Sequence, residues 1–405
     1  MSNGKESSDS SQVSNLPDDI LLNCLARVSR LYYPTLSLVS KRFRSLTASI
    51  ELYQTRTLLG RTETCLYLCI RSPGFKTFNQ RWFTLCRKPT RTLNPNPNPN
   101  SGWFTSCFRP HKVPKNPSRK EENLMVSVPT RNDSPPFWTG AATGPNIYAI
   151  GVYTDDDGFP SSKVLYLDCR SHTWHEAPCM HKAPPSIPAL GPALGTVVSV
   201  LDGKIYVTED CNEPGSSSLI ECFDPKTQIW ERVSNPTAEM LRENTIYKSL
   251  AIDGKLYLFG TDYNMVYTPE ENKWQVVGST TWFNWIPWDP TCVISNVMYS
   301  TRYSKTLHWY NSEGIVWRAL KGLEKLPSLP MCSDRVRLVN YGGKIAVFWE
   351  GDNAIISDEK LIWCAVIALE RRSDEQEVYG KIEWCDVVLT VLKSFGLFEL
   401  LAVDV

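Results

Sequence analysis

From Leu16 onward the apolar residues fall at helical spacing. Ile20, Leu21, Cys24, Leu25 and Val28 follow the start Leu16-Pro17-Asp18-Asp19. A proline in the first turn and two acids at the positive end of the helix dipole favour that start. Ser29 to Pro34 breaks the pattern, and a second helical stretch carries Leu36, Leu38, Val39, Phe43 and Leu46. The spacing predicts two or three short helices with apolar positions on more than one face. So small a unit cannot hide that surface by itself. It packs against the rest of the chain, or it keeps one face for a partner. Residues 64–70 and 81–87 then read as short strands from their aromatic and aliphatic content.

Beyond residue 124 the chain repeats itself. Four stretches run from an aromatic through a polar turn to a tryptophan: Tyr166 to Trp174, Phe223 to Trp230, Tyr267 to Trp274 and Tyr310 to Trp317. Upstream of them stand Asn146-Ile-Tyr, Asp202-Gly-Lys-Ile-Tyr, Asp253-Gly-Lys-Leu-Tyr and Asn296-Val-Met-Tyr, and a fifth such element, Gly342-Gly-Lys-Ile-Ala, follows. Asp-Gly between alternating apolar residues is a hairpin signal, because the tight turn needs positive φ. Each unit therefore reads as four antiparallel strands. Such units, at about 50 residues each, form a β-propeller, in which small sheets cover one another in a ring. The fifth unit is stretched, with long arms around Ile362 and Val378 to Trp384 and a projecting charged tip at Arg371, Arg372, Asp374, Glu375 and Glu377. The strands at 64–87 and the apolar segment 387–405 are left to close the ring as a composite sixth blade, which removes exposed sheet edges.

Composition narrows the classes. There are 43 Lys+Arg against 43 Asp+Glu, so no overall charge recruits nucleic acid or an anionic membrane. The 28 prolines leave room for few long helices, and the 14 tryptophans need walls to pack on. The 13 cysteines show no CxxC pair or zinc-ribbon spacing, residues 1–14 are polar and lack a signal-peptide core, and no long apolar run would span a bilayer. These features imply a reducing compartment, in the cytoplasm or nucleus. Residues 1–14 read as a disordered leader and 89–123 as a Pro/Asn-rich basic insertion. Between 87 and 120 stand eight Lys/Arg and no acid. That patch fits nuclear targeting or nucleic acid, or simply a solvated insertion in a β-rich domain, which is the reading adopted.

The residues from Ser14 to Leu46, with LPDDIL, CLARV, Tyr33-Pro34 and LSLVSKRFRSL, resemble an F-box spanning about 15–55. With the degenerate kelch repeats that follow, the chain resembles the plant F-box/kelch-repeat family. The second element of the repeats departs from the kelch pattern: its double glycine is reduced to Gly151 or Gly260, or is missing. The expected architecture is mainly β: residues 56–88 join a six-bladed kelch propeller at 124–405, preceded by a small α-helical F-box. The resemblance implies binding to the Skp-type adaptor of an SCF ubiquitin ligase and, through it, a cullin–RING ligase. The contact residues it implies are Leu16, Pro17, Ile20, Leu21, Leu25, Pro34 and Leu36. Val39 and Phe43 would be shared between contact and core. The propeller would hold an unidentified target protein.

Candidate chemistry is sparse. Cys169, His172, His175, Cys179 and His181 are zinc-type ligands, but they fall on the strand–turn–strand of the first repeat. Asp155 to Gly158 lacks the alternating spacing of a calcium loop. No nucleophile elbow, P-loop or dinucleotide motif occurs. The expectation is a non-catalytic receptor subunit without metal or cofactor. A non-ligase interaction scaffold is the alternative, and a copper-dependent propeller oxidase the remote one. Trp282, Trp285 and Trp288 are candidates for a binding face or for packing between blades.

Overall fold

The computed structural model describes residues 16–72, 79–86, 124–130, 137–154, 160–181, 196–209, 220–234, 244–279, 289–302, 304–312, 316–351, 358–372 and 377–405. The leader, the basic insertion, Asp155 to Gly158, Trp282, Trp285, Trp288, Asp374 and Glu375 lie outside these residues.

Four short helices come first: α1 (Asp18–Ala26), α2 (Tyr33–Leu36), α3 (Lys41–Thr47) and α4 (Ile50–Leu58). Serine hydroxyls cap the last two, Ser40 accepting from the Phe43 amide at 3.1 Å and Ser49 from the Leu52 amide at 3.3 Å. Each cap satisfies a donor that a helix start leaves orphaned. The fourth helix continues beyond the hydrophobic pattern of the second stretch, because Leu52, Tyr53 and Arg56 turn inward on one side.

The described strands form six antiparallel sheets arranged as a propeller. Five blades run in chain order from the innermost strand outward. Blade 2 spans Phe137–Thr143 to Thr173–Ala177, blade 3 Thr196–Leu201 to Ile229–Arg232, and blade 4 Ile246–Ile252 to Lys273–Ser279. Blade 5 spans Thr291–Ile294 to Val316–Ala319, and blade 6 Val336–Tyr341 to Glu377–Leu392. Blade 1 is the composite: Gly396–Asp404 supplies its inner strand and Thr64–Ser72, Asn79–Leu85 and Met125–Val128 the other three. Thr64 pairs with Asp404 and Leu68 with Leu400, so the two chain ends zip together antiparallel.

The tryptophans sit between blades. In blades 3, 4 and 5 the register puts Trp230 opposite Phe223, Trp274 opposite Tyr267 and Trp317 opposite Tyr310. Trp174, Trp230 and Trp274 donate their indole N–H to a carbonyl of the preceding blade's exit segment, at Pro129 (2.9 Å), Pro178 (2.9 Å) and Ser234 (2.6 Å). This gives a large apolar ring a wet end, as buried tryptophan requires. Two units depart from the repeat pattern. Trp174 lies opposite Leu167, and Tyr166 faces His175, because the extra residue of that repeat moves the aromatic to the other face of the sheet. Trp384 packs with Leu66, Leu68 and Phe348 toward blade 1 rather than toward the preceding blade.

Candidate adaptor-docking surface

The helical unit rests on blades 1 and 2. Leu21, Leu25, Tyr33, Leu52 and Tyr53 share one core with Tyr67, Trp82, Trp138, Ile147 and Cys169. This is the end of the propeller where the tight turns lie, including those with positive φ at Asp202-Gly203 and Asp253-Gly254. Strand alternation puts the turn at His172 (φ 57°) at that end as well, and the helices sit against it.

Two buried arginines fix the helical unit in place. Arg30 donates through Nη2 to the Tyr67 hydroxyl at 3.2 Å and to the Cys169 carbonyl, and it lies 3.2 Å from His172 Nε2. The Tyr67 hydroxyl is 2.9 Å from the same His172 nitrogen, and Tyr53 donates to the Arg170 carbonyl at 3.2 Å. Burial, then the neighbouring Arg30 charge, pushes the His172 pKa down to about 4, so its ring is neutral near pH 7 and Nε2 is available as an acceptor. Arg56 is wholly buried and donates to the Val28 carbonyl at 2.8 Å and the Tyr33 hydroxyl at 3.0 Å. It pairs with Glu63 at 3.0 Å. The Glu63 backbone in turn exchanges two hydrogen bonds with Val405, at 2.8 and 3.0 Å, which ties the linker to the last residue of the closing strand.

The expected contact residues divide into two groups. Leu21 and Leu25 are each 4% exposed and belong to the internal core. Leu36 and Phe43 are partly buried against it. Leu16, Pro17, Ile20, Pro34 and Val39 are exposed, Ile20 at 45% and Val39 at 64%. Leu38, which the sequence reading left out of the contact set, is the most open of the neighbouring aliphatics at 76%. An Arg42–Asp18 ion pair (2.6 Å) joins α3 to the start of α1 beside this surface, and Arg42 Nη2 also donates to the Leu16 carbonyl. The interface residues Arg30, Arg56 and Glu63 were not singled out from sequence, and His172 stood out there only as a zinc-type ligand. A fully buried arginine has no periodicity signal, since its partners are carbonyls brought in by folding.

The zinc-type ligands are dispersed over different environments. Cys169 is buried in the interface core, and His172 bonds as described. His175 stacks on Tyr166, His181 lies 3.4 Å from Glu221, and Cys179 is exposed. Among the described residues no group of three or more His, Cys, Asp or Glu side chains is placed to hold a metal ion.

Comparison with known proteins accounts for both parts. Residues 13–55 match the F-box domain, and residues 103–389 match the kelch-repeats domain of the FKB95 type. The chain belongs to the F-box/kelch-repeat family. The putative F-box/kelch-repeat protein At4g11750 of Arabidopsis thaliana is 54% identical over 398 residues, covering 96% of this chain and 97% of that protein. The F-box/kelch-repeat protein At4g39550 of the same plant is 43% identical over 387 residues, covering 94% and 91%. An F-box joined to kelch repeats is the make-up of a substrate-adaptor type protein, and such family names point to an adaptor rather than a catalyst. An F-box implies an Skp-type adaptor as partner, and work in a ubiquitin ligase is the usual role of F-box proteins.

Proposed function

We propose that this chain is the target-recruiting, non-catalytic subunit of an SCF-type ubiquitin ligase, acting in the cytoplasm or nucleus. Leu16, Pro17, Ile20, Pro34 and Val39, with Leu38, dock on the Skp-type adaptor. Leu21, Leu25, Leu36 and Phe43 hold those residues in place from beneath. The propeller holds the target protein.

The observation that carries this reading is the two-sidedness of the F-box. One side is packed on the propeller and pinned to it by Arg30, with Arg56 tying the helices to Glu63 of the linker, while Ile20, Leu38 and Val39 stay exposed. Removing each such aliphatic from water is worth about 1.5–3 kcal/mol before association costs are subtracted. A rigid mount matters for the proposed role. This subunit supplies proximity, and a fixed geometry raises the effective concentration of target lysines near the loaded conjugating enzyme.

The test is a direct binding assay between the purified full chain and purified Skp-type adaptor. Binding by the wild type and its loss in a Leu16→Asp/Ile20→Asp variant with an unchanged melting curve support the proposal. Absence of binding by the wild type favours a scaffold that recruits no ligase.

A further inference from the structure

A cavity of about 420 Å3 opens where blades 4, 5 and 6 meet, whereas the helical unit rests on blades 1 and 2. Ile252 and Tyr257 of blade 4, Met298, Trp309 and Tyr310 of blade 5, and Arg371 of blade 6 line it. Its size is that of a pocket for one small organic molecule, its wall is partly aromatic, and Asn296, Asn311 and Ser312 add polar groups.

One charged group at this cavity lacks an ion-pair or hydrogen-bond partner among the described residues. Arg371 is exposed at the end of the long strand Glu359–Arg372. Its side chain makes no ion pair or hydrogen bond among the described residues. Its neighbour Arg372, by contrast, pairs with Glu370 at 2.9 Å and lies over the Tyr379 ring. A free guanidinium beside an apolar, ring-walled hollow matches an anion attached to a flat apolar body.

We propose that this cavity is a binding site for a small aromatic carboxylate. The ring packs against Tyr257, Tyr310 and Met298, and the carboxylate pairs with Arg371. An extended peptide would need a groove or a free sheet edge, whereas this hollow is bounded by three blades. The site is separate from the adaptor surface and does not depend on it.

Titration calorimetry of the full chain with 4-hydroxybenzoate and 2-naphthoate, each beside its primary amide, tests the proposal. The carboxylates are expected to bind at millimolar Kd or tighter, and the amides about tenfold or more weakly. Arg371→Gln should cost the carboxylates about tenfold and Arg371→Lys less, because lysine keeps the charge but loses the planar fork. Arg371 is exposed, so its variants should keep the wild-type melting curve, which is recorded alongside. No carboxylate binding by the wild type at about 10 mM, or equal binding by Arg371→Gln, overturns the proposal.

Discussion

Arg30 of the F-box and His172 of a propeller turn lie 3.2 Å apart, nitrogen to nitrogen, and share the Tyr67 hydroxyl as a common neighbour. This three-way contact couples the two halves of the molecule. It also places a titratable ring against a permanent positive charge at a half-buried seam.

The pH consequence follows from the His172 pKa of about 4 in the folded chain against an ordinary 6.5. Between these values the unfolded chain binds more protons than the folded one, so acidification through this window removes stability. Thermal melts from pH 7 to 4 should show a falling midpoint, and His172→Gln should fall less steeply. Parallel slopes would remove His172 from the account.

Glu399 on the closing strand works in the opposite direction. Burial raises its pKa to about 7, with Arg337 and the Gly140 amide opposing the shift. The folded chain therefore holds the extra proton between about 4.5 and 7, and this contribution is lost as pH rises through 7. Glu399→Gln should melt higher than the wild type at pH 8, with the gain shrinking toward pH 4.5.

Two residues of α1, one exposed and one buried, should behave differently. Ile20→Ala removes an exposed side chain and should change stability little while weakening adaptor capture. Leu25→Ala leaves a hole in the shared core and should cost about 2–5 kcal/mol in a denaturant titration. If both variants lose only adaptor binding, Leu25 faces the adaptor and not the propeller.

Arg56 joins three carbonyl or hydroxyl acceptors and one acid at the root of the F-box. Arg56→Ala takes this donor from the Ala26 and Val28 carbonyls and leaves Glu63 only Ser29 and the Arg30 amide, which should cost about 3 kcal/mol or more. Protease digestion should then release the F-box from an intact propeller, because the inter-blade packing does not pass through this residue.

Removing residues 396–405 should abolish cooperative folding. The segment is the innermost strand of blade 1, and its loss exposes the Thr64–Ser72 strand along its whole inner edge. A truncated chain that still melts in one sharp transition would show that the ring closes without it.

Local pattern determined much of this protein. The Asp-Gly turns, the aromatic-to-tryptophan spacing and the Leu16-Pro17-Asp18-Asp19 helix start each depend on residues near in sequence, and backbone preference alone makes them legible. The same holds for the long arms of blade 6 and for the loose strands that become blade 1. Tertiary structure decided which F-box aliphatics remain outside. Leu21 and Ile20 are neighbours on one helix, yet one is 4% and the other 45% exposed, because burial depends on the blades packed against α1. Folding also brought Arg30 to Tyr67 and His172. Those relations join residues up to 142 positions apart, a range over which side-chain periodicity carries no information.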